Sequence, residues 1–172
     1  MFSAYFSSGC LRSFSLVIRP IFSLFFPELT QLIQPLSGEY AGFREVFEHI
    51  PFPIGYGVET SMNMDIYEKW GLDVMAQVDL DRRIHHNQDT KALGRMSFVI
   101  LKTFINRKVR LGLIDLKEDV FDEMIQYNLV NNKYQADILK IAGHERPPII
   151  EIPEYREKFK IDRTTLQERQ EA

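Results

Sequence analysis

Three short blocks between Gln34 and Asn87 concentrate the side chains of this chain that could do chemistry. The first is Gln34-Pro35-Leu36-Ser37-Gly38-Glu39-Tyr40-Ala41-Gly42, and the second is Gly55-Tyr56-Gly57-Val58-Glu59. Arg83-Ile84-His85-His86-Asn87 forms the third. Glycine lets a backbone approach a ligand closely. The acids, tyrosines, histidine and amide beside these glycines donate and accept hydrogen bonds of the kind that hold sugar hydroxyls. Each block also has a plain structural reading. Gly38 to Gly42 could be a tight turn with solvated Glu39, and Glu59 could serve only as a first-turn carboxylate at a helix start.

The third block widens the chemistry. In an extended segment Arg83, His85 and Asn87 share one face and His86 points away. Arginine suits a phosphate, and imidazole suits a divalent ion. One histidine and one amide are not a metal site without a carboxylate, so a surface histidine is an equal alternative. Asp79-Leu80-Asp81 has the Asp-x-Asp form that could hold a metal and a diphosphate. It runs into Arg82-Arg83, and no nucleotide-binding βαβ pattern precedes it, so it reads as strand-end acids. No glycine-rich phosphate loop, Cys–His cluster or nucleophile elbow occurs, and Cys10 has no evident base beside it.

The elements that must position these blocks follow from periodicity. Ser13 to Phe26 reads as helical with Pro20 as a kink or restart, and Pro27 to Ile33 adds a turn of helix. A short helix is expected over Phe43–His49, with Phe43, Val46, Phe47 and Ile50 as its apolar stripe. Val58, Met62, Ile66 and Trp70 recur every fourth residue and predict a helix over Val58–Trp70, capped by Gly71. Alternation over Asp73–Leu80 predicts a strand with Val74, Ala76, Val78 and Leu80 on the covered face. Thr90 to Arg110 reads as a helix with Leu93, Met96, Ile100 and Phe104 inward and Lys91, Lys102 and Lys108 outward. Further helices are expected over Glu118–Val130 and Tyr134–Ile141, joined by a turn at Asn131-Asn132. Pro147, Pro148 and Pro153 argue against regular structure in the tail, and the charged end reads as a frayed helix or arm.

Bulk composition narrows the class. With 172 residues, 45% hydrophobic and 26% charged, the chain can bury a core and is not a disordered one. A formal net charge of −3 leaves no basic excess for a general nucleic-acid binder. A single cysteine fits a reducing compartment, so a cytoplasmic protein is expected. Phe14 to Phe26 is apolar, but Arg19 and Pro20 interrupt it and Pro27-Glu28 ends it. It is shorter than the roughly 20 residues of a membrane span, so a buried helix is expected and a membrane is not.

Taken in order and spacing, Pro35 to Gly42, Gly55 to Glu59, Ala76-Gln77-Val78-Asp79-Leu80 and Arg83 to Asn87 resemble the glucosyl-3-phosphoglycerate synthases. Arg19-Pro20 followed by Phe26-Pro27-Glu28-Leu29 adds to the resemblance, which covers about residue 12 onward. These are retaining GT-A glycosyltransferases. The resemblance implies an α/β fold, the C-terminal part of a GT-A domain, mostly helical with a few strands of an incomplete mixed sheet. It implies transfer of glucose from an NDP-glucose to the 2-hydroxyl of 3-phosphoglycerate with Mg2+ or a similar ion such as Mn2+. By the same resemblance Glu59 and Tyr56 match the catalytic neighbourhood and Leu36, Ser37 and Gly38 line the glucose pocket. His85 completes the metal site, Asn87 lies at the acceptor and Arg83 is a phosphate contact.

The chain departs from the family at Leu11-Arg12-Ser13-Phe14, where a Gly-Arg-Val-Thr stretch grips the acceptor. Arg12 matches; the glycine and threonine do not. Only 33 residues precede Gln34, too few for a nucleotide-binding half. The expected organisation is an apolar N-terminal segment over 1–33, an acceptor and sugar half over 34–145 and a charged tail over 146–172. A lone His85 cannot hold an ion against water, so the chain alone is not expected to turn over. A separately encoded N-terminal half or a second copy of the chain is the expected partner. The alternative is a non-catalytic dimerisation domain, with a dimer surface on the elements from Thr90 to Ile141.

Overall fold

A computed structural model of the chain describes residues 1–5, 14–81, 89–118, 120–141 and 144–161. Strand β1 (Phe2–Tyr5) is followed by a π-helical turn (Phe14–Ile18), helix α1 (Arg19–Phe25) and a 3₁₀ turn (Pro27–Gln31). Next come β2 (Tyr40–Ala41), α2 (Arg44–Glu48), β3 (Phe52–Pro53), a 3₁₀ turn (Gly55–Gly57) and α3 (Val58–Trp70). Strand β4 (Ala76–Asp79), the long α4 (Thr90–Arg110), β5 (Glu123–Val130), β6 (Lys133–Lys140) and β7 (Glu145–Arg146) follow. A 3₁₀ turn (Ile149–Glu151) leads into α5 (Pro153–Phe159).

Helix α3 is the axis on which the rest is hung. Met64 joins Ile18, Ile21, Phe22, Phe26, Leu29, Leu32, Ile100 and Phe104 in the larger core. Met62 and Ile66 join Met1 and Ile50 in a smaller one. Each such fully buried side chain contributes on the order of 1.5–3 kcal/mol of transfer free energy, an upper figure. With a core on two sides, α3 buries its polar residues too. Ser61 donates to Asp65 at 3.1 Å, and Asp65 forms an ion pair with Arg107 of α4. The helix ends at Gly71, whose φ of 78° suits glycine and whose N–H closes on the Tyr67 carbonyl at 2.9 Å.

The bounds expected for α3 and α4 agree with the structure. Asp89 caps α4 by accepting from the Ala92 N–H at 2.7 Å. Two lysines expected outside α4 are buried instead. Lys102 pairs with Asp122 at 2.5 Å and donates to the Ile141 carbonyl at 3.1 Å. Lys108 lies 3.8 Å over the Phe26 ring and 3.6 Å from Glu68.

The helices expected over Glu118–Val130 and Tyr134–Ile141 are corrected to an antiparallel hairpin, β5 paired with β6 from Glu123↔Lys140 to Val130↔Lys133. Asn131 and Asn132 form its two-residue turn with φ of 50° and 58°. Two successive left-handed residues match the twist of a hairpin and nothing in a helix. The inner hairpin face sits on α4, where Lys91 pairs with Asp137 and Met124 approaches Gly94.

Strand β4 forms, but its faces are reversed from the expectation. Val74, Val78 and Leu80 are 42–47% exposed, and Gln77 is the more covered residue. The apolar face has no layer over it among the described residues, whereas Gln77 is clasped by the segment at Gln31 and Ile33. Strand β4 is the edge of a three-stranded sheet in the order β2, β1, β4, parallel to β1. Residues 2–5, which show no period in the sequence, supply the central strand. Leu16, Leu24 and Phe25 are exposed beside α1, while Ile18, Ile21 and Phe22 are buried, as a helix lacking its outer layer would show. Among the described residues no helix is long and apolar enough to cross a membrane. Pro153, expected to oppose regular structure, instead opens α5, where a missing N–H costs nothing. Tyr155 then donates to Glu48 at 2.7 Å and accepts from Arg44 at 2.8 Å, tying α5 to α2.

Candidate functional site

The structure joins the first two sequence blocks through α3. Glu59, in the first turn of that helix, accepts the Gly38 N–H through Oε1 at 2.7 Å. One turn further on, Asn63 donates its Nδ2 to the Pro35 carbonyl at 2.8 Å and is 1% exposed. Residues four apart on a helix share a face, so one strip of α3 grips the 34–42 loop at two points. Within the loop, Ser37 Oγ donates to the Glu39 carbonyl at 3.1 Å. Gly38 has a φ of 77°, which favours glycine at the turn.

These contacts separate the roles of the loop residues. Leu36 packs against the larger core, and Ser37 is 5% exposed. Gly38 meets Glu59 directly. Tyr40 is 41% exposed; partial burial, then the charge of Glu59, raise its hydroxyl pKa above the ordinary tyrosine range. Tyr56 is 51% exposed in the 3₁₀ turn Gly55–Gly57. That turn is pressed onto α4: a Cβ added to Gly57 would stand 2.1 Å from Thr103 Oγ1. Glycine is therefore required by close approach at Gly57 and by a φ of 79° at Gly55.

The third block and Arg12 lie outside the described residues, so Arg83, His85 and Asn87 have no described geometry. The strand leading to them is fixed to the first block. Gln77 accepts the Ile33 N–H at 2.7 Å and donates to the Gln31 carbonyl at 2.9 Å. The end of β4 is thus held against the residues just before the 34–42 loop. Asp79 Oδ1 accepts the Asp81 N–H at 2.8 Å, a local turn around a residue with φ of 61°. Among the described residues no three His, Cys, Asp or Glu side chains form a metal site.

Sequence reasoning pointed to Glu59 and to the 36–38 loop but not to their direct contact. It missed Asn63, Gln77 and the proximity of Tyr40 to Glu59. Asn63 carried one faint signal, a polar residue between Met62 and Met64 on a helix buried on two sides.

No protein-family model matches the chain. It is 47% identical over 157 residues to the glucosyl-3-phosphoglycerate synthase of Petrotoga mobilis, covering 91% of the chain and 48% of that protein. The enzyme of the same name from Mycolicibacterium smegmatis is 43% identical over 143 residues, 83% of the chain and 45% of that protein. Among solved structures, mannosyl-3-phosphoglycerate synthase from Rubrobacter xylanophilus superposes with a TM-score of 0.81 at 31% identity, over 88% of the chain and 52% of that structure. The glucosyl-3-phosphoglycerate synthase of Mycobacterium tuberculosis, in complex with Mn2+, UDP and glucosyl-3-phosphoglycerate, superposes at 0.71 with 34% identity, over 86% and 48%. A further structure of the Mycobacterium tuberculosis enzyme holds Mg2+ and UDP. The chain spans about half the length of the curated relatives it matches. In sequence and fold alike, it matches the C-terminal part of the glucosyl-3-phosphoglycerate synthases, which are GT-A glycosyltransferases.

Proposed function

We propose that this chain forms the acceptor and sugar half of a glucosyltransferase. The whole enzyme would transfer glucose from an NDP-glucose to the 2-hydroxyl of 3-phosphoglycerate. The 2.7 Å bond between Glu59 and the Gly38 N–H carries the reading, because it builds one wall from two separate blocks. In this reading the Leu36, Ser37 and Gly38 loop lines the glucose pocket, and Glu59 and Tyr56 stand at the reacting sugar. Glu59 orients a hydroxyl by accepting from it, and Asn63 keeps the loop in place. Arg12, Arg83 and Asn87 bind the phosphorylated acceptor, and His85 is a metal ligand that needs partners from the nucleotide-binding half. The same proposal divides the chain into an apolar segment (1–33), the site-bearing half (34–145) and a charged tail (146–172).

On this reading the 172-residue chain alone has no turnover. Docking an acceptor hydroxyl supplies proximity but no activated glucosyl donor. The test is a radiolabelled transfer assay with UDP-glucose, 3-phosphoglycerate and Mn2+. It is run with the chain alone and with the nucleotide-binding half of the Petrotoga mobilis relative added as a second polypeptide. Turnover is expected only in the mixture. Glu59→Gln is expected to lower it by about 10²-fold, the usual scale for a misplaced reactant. Turnover by the purified chain alone refutes the claim of incompetence, and no complementation together with no binding of 3-phosphoglycerate refutes the whole reading.

A second reading, a dimerisation domain without catalysis, is favoured by the outer face of the β5–β6 hairpin. Ile125, Tyr127, Leu129, Tyr134 and Ile138 are 54–79% exposed there. Calorimetric titration of 3-phosphoglycerate into the chain and into Asn87→Ala separates the two readings. Binding lost in the variant favours the transferase; a stable dimer blind to the ligand favours the alternative.

A further inference from the structure

The 34–42 loop is tied at both ends to one row of the sheet formed by β2, β1 and β4. Ser3 of β1 stands opposite Tyr40 of β2 and opposite Gln77 of β4. Tyr40 and Gln77 therefore share a face of the sheet, two strand spacings or roughly 10 Å apart. Tyr40 enters the sheet through the main chain of β2. At the start of the loop the chain is not in a strand, and the Gln77 side chain makes the connection instead. Its Oε1 accepts the Ile33 N–H at 2.7 Å, and its Nε2 donates to the Gln31 carbonyl at 2.9 Å. These two main-chain groups flank Leu32, so the side-chain amide pairs with 31–33 much as a peptide group of a neighbouring strand would.

A carboxamide presents a donor and an acceptor side by side, whereas a carboxylate presents only acceptors. The Ile33 N–H can only donate and the Gln31 carbonyl can only accept, so the two partners fix which way the amide points. The backbone under Gln77 is held firmly. Strand β4 runs parallel to β1, with the Ala76 N–H on the Met1 carbonyl at 2.7 Å and the Leu80 N–H on the Tyr5 carbonyl at 2.9 Å. The partners of the amide are not buried: Ile33 is 44% exposed and Gln31 is exposed. Water can serve both main-chain groups, so folding does not depend on the amide. What the amide adds is position. The loop is then held from two elements, by Gln77 at 31–33 and by Asn63 and Glu59 of α3 at Pro35 and Gly38.

We propose that Gln77 is a positioning residue of the glucosyl site, setting where Leu36, Ser37 and Gly38 stand against Glu59. The inference rests on the transferase reading for its chemistry and on the register of β4 for its geometry. Gln77 acts through the loop that lines the glucose pocket in that reading. Its loss therefore falls on use of the glucosyl donor and spares the acceptor.

The test uses the full chain, alone and mixed with the nucleotide-binding half of the Petrotoga mobilis relative. In the chain alone, proton–nitrogen NMR of the Gly38 amide reports the loop, because that amide is bonded to Glu59. Gln77→Leu should move this signal and keep the wild-type melting profile. In the mixture it should lower kcat/KM for UDP-glucose about tenfold, a smaller loss than at Glu59 because two anchors of the loop remain. KM for 3-phosphoglycerate should stay as in the wild type. Gln77→Glu adds a readout that a packing role would not move. At pH 7 its carboxylate sets an acceptor against the Gln31 carbonyl, and the variant should be at least as impaired as Gln77→Leu. Once protonated, it donates to that carbonyl and accepts from Ile33 as glutamine does. The facing carbonyl disfavours the charged form and raises the carboxyl pKa above its usual value of roughly 4.3. Activity relative to wild type, and the Gly38 signal, should return toward wild type as pH falls from about 7 to about 5. The relative activity of Gln77→Leu should stay flat over the same range. The glutamate variant decides the matter even if Gln77→Leu fails to fold. The proposal is overturned if the Gly38 amide of Gln77→Leu coincides with that of the wild type. It is equally overturned if the loss appears in KM for 3-phosphoglycerate, or if the two variants follow the same pH course. A wild-type mixture without turnover counts against the transferase reading alone, and the Gly38 signal then decides whether Gln77 places the loop.

Discussion

Helix α3 buries seven residues in a row, Thr60 to Ile66, four of them polar, while the β5–β6 hairpin turns five large apolar side chains outward. Both features run against simple partitioning, and for different reasons. On α3 three of the four polar residues are paired with specific partners: Asn63 with Pro35, Ser61 with Asp65, and Asp65 with Arg107, while the Thr60 hydroxyl has no hydrogen-bond partner among the described residues. Such pairs add little net stability over apolar packing, but removing one partner is expensive. What they supply is position, and here the positioned object is the loop that meets Glu59. On the hairpin, the apolar face has no partner among the described residues. A contiguous patch of that kind marks a contact surface rather than a fold requirement.

The largest effect expected from this contrast is at Asp65. Asp65→Ala removes the one fully buried carboxylate of the Arg107 guanidinium and leaves it beside Arg110 with the more exposed Glu68 at 3.3 Å. The expected loss is about 3–5 kcal/mol of unfolding free energy, measured by urea titration. A loss under 1 kcal/mol, roughly a surface value, would mean that α3 is not held through this pair. Next in size is Gly57→Ala, where the new methyl meets Thr103. The expected cost is about 1–3 kcal/mol for overpacking, partly recovered in the double variant with Thr103→Ala. A cycle without coupling would show that the Gly55–Gly57 turn is not seated on α4.

The hairpin should behave in the opposite way. Tyr127→Ser and Leu129→Ser are expected to change unfolding by no more than about 0.5 kcal/mol at low micromolar chain, the usual surface range. A larger loss that grows with chain concentration, seen by sedimentation alongside unfolding, would place a second chain on this face and erase the contrast.

Much of the α3 side was legible because its signals are local. A four-residue apolar spacing, Gly71 as a left-handed cap and Asp89 as an N-cap each declare themselves within a few positions. The hairpin failed because its residues satisfy two periods. Val120, Phe121, Met124, Ile125 and Leu129 can be set on a helix, yet Ile125, Tyr127 and Leu129 alternate as a strand does. Asn131-Asn132 was the deciding signal, since two adjacent residues that tolerate positive φ suit a two-residue hairpin loop. The burial of Lys102 and Lys108 was not legible, because their partners Asp122 and Glu68 lie 20 and 40 residues away. The same distance hid the contact between Gly38 and Glu59. Composition named the participants, and only the fold brought them within 2.7 Å.

The smallest predicted effect tests how the hairpin is hung on α4. Its anchors are two ion pairs, Lys102 with Asp122 and Lys91 with Asp137. In both, the lysine hydrogen bond, followed by its charge, lowers the aspartate pKa below the ordinary 3.8. A depressed folded value means that the contribution is fully present above the unfolded value and is lost as pH falls through the folded one. Hydrogen exchange across β5 and β6 should therefore be insensitive to both anchors' ionisation at neutral pH. Below pH 3.8 the hairpin amides should lose protection ahead of those in α3, once intrinsic exchange rates are corrected. Asp122→Asn should reduce hairpin protection at neutral pH and weaken its acid dependence, because one of the two ionisable anchors is gone while Lys91–Asp137 remains. Lys102 keeps its bond to the Ile141 carbonyl in that variant, so the change stays local. If hairpin and α3 amides lose protection together as pH falls, the two regions open as one unit, and their different construction does not translate into different local stability.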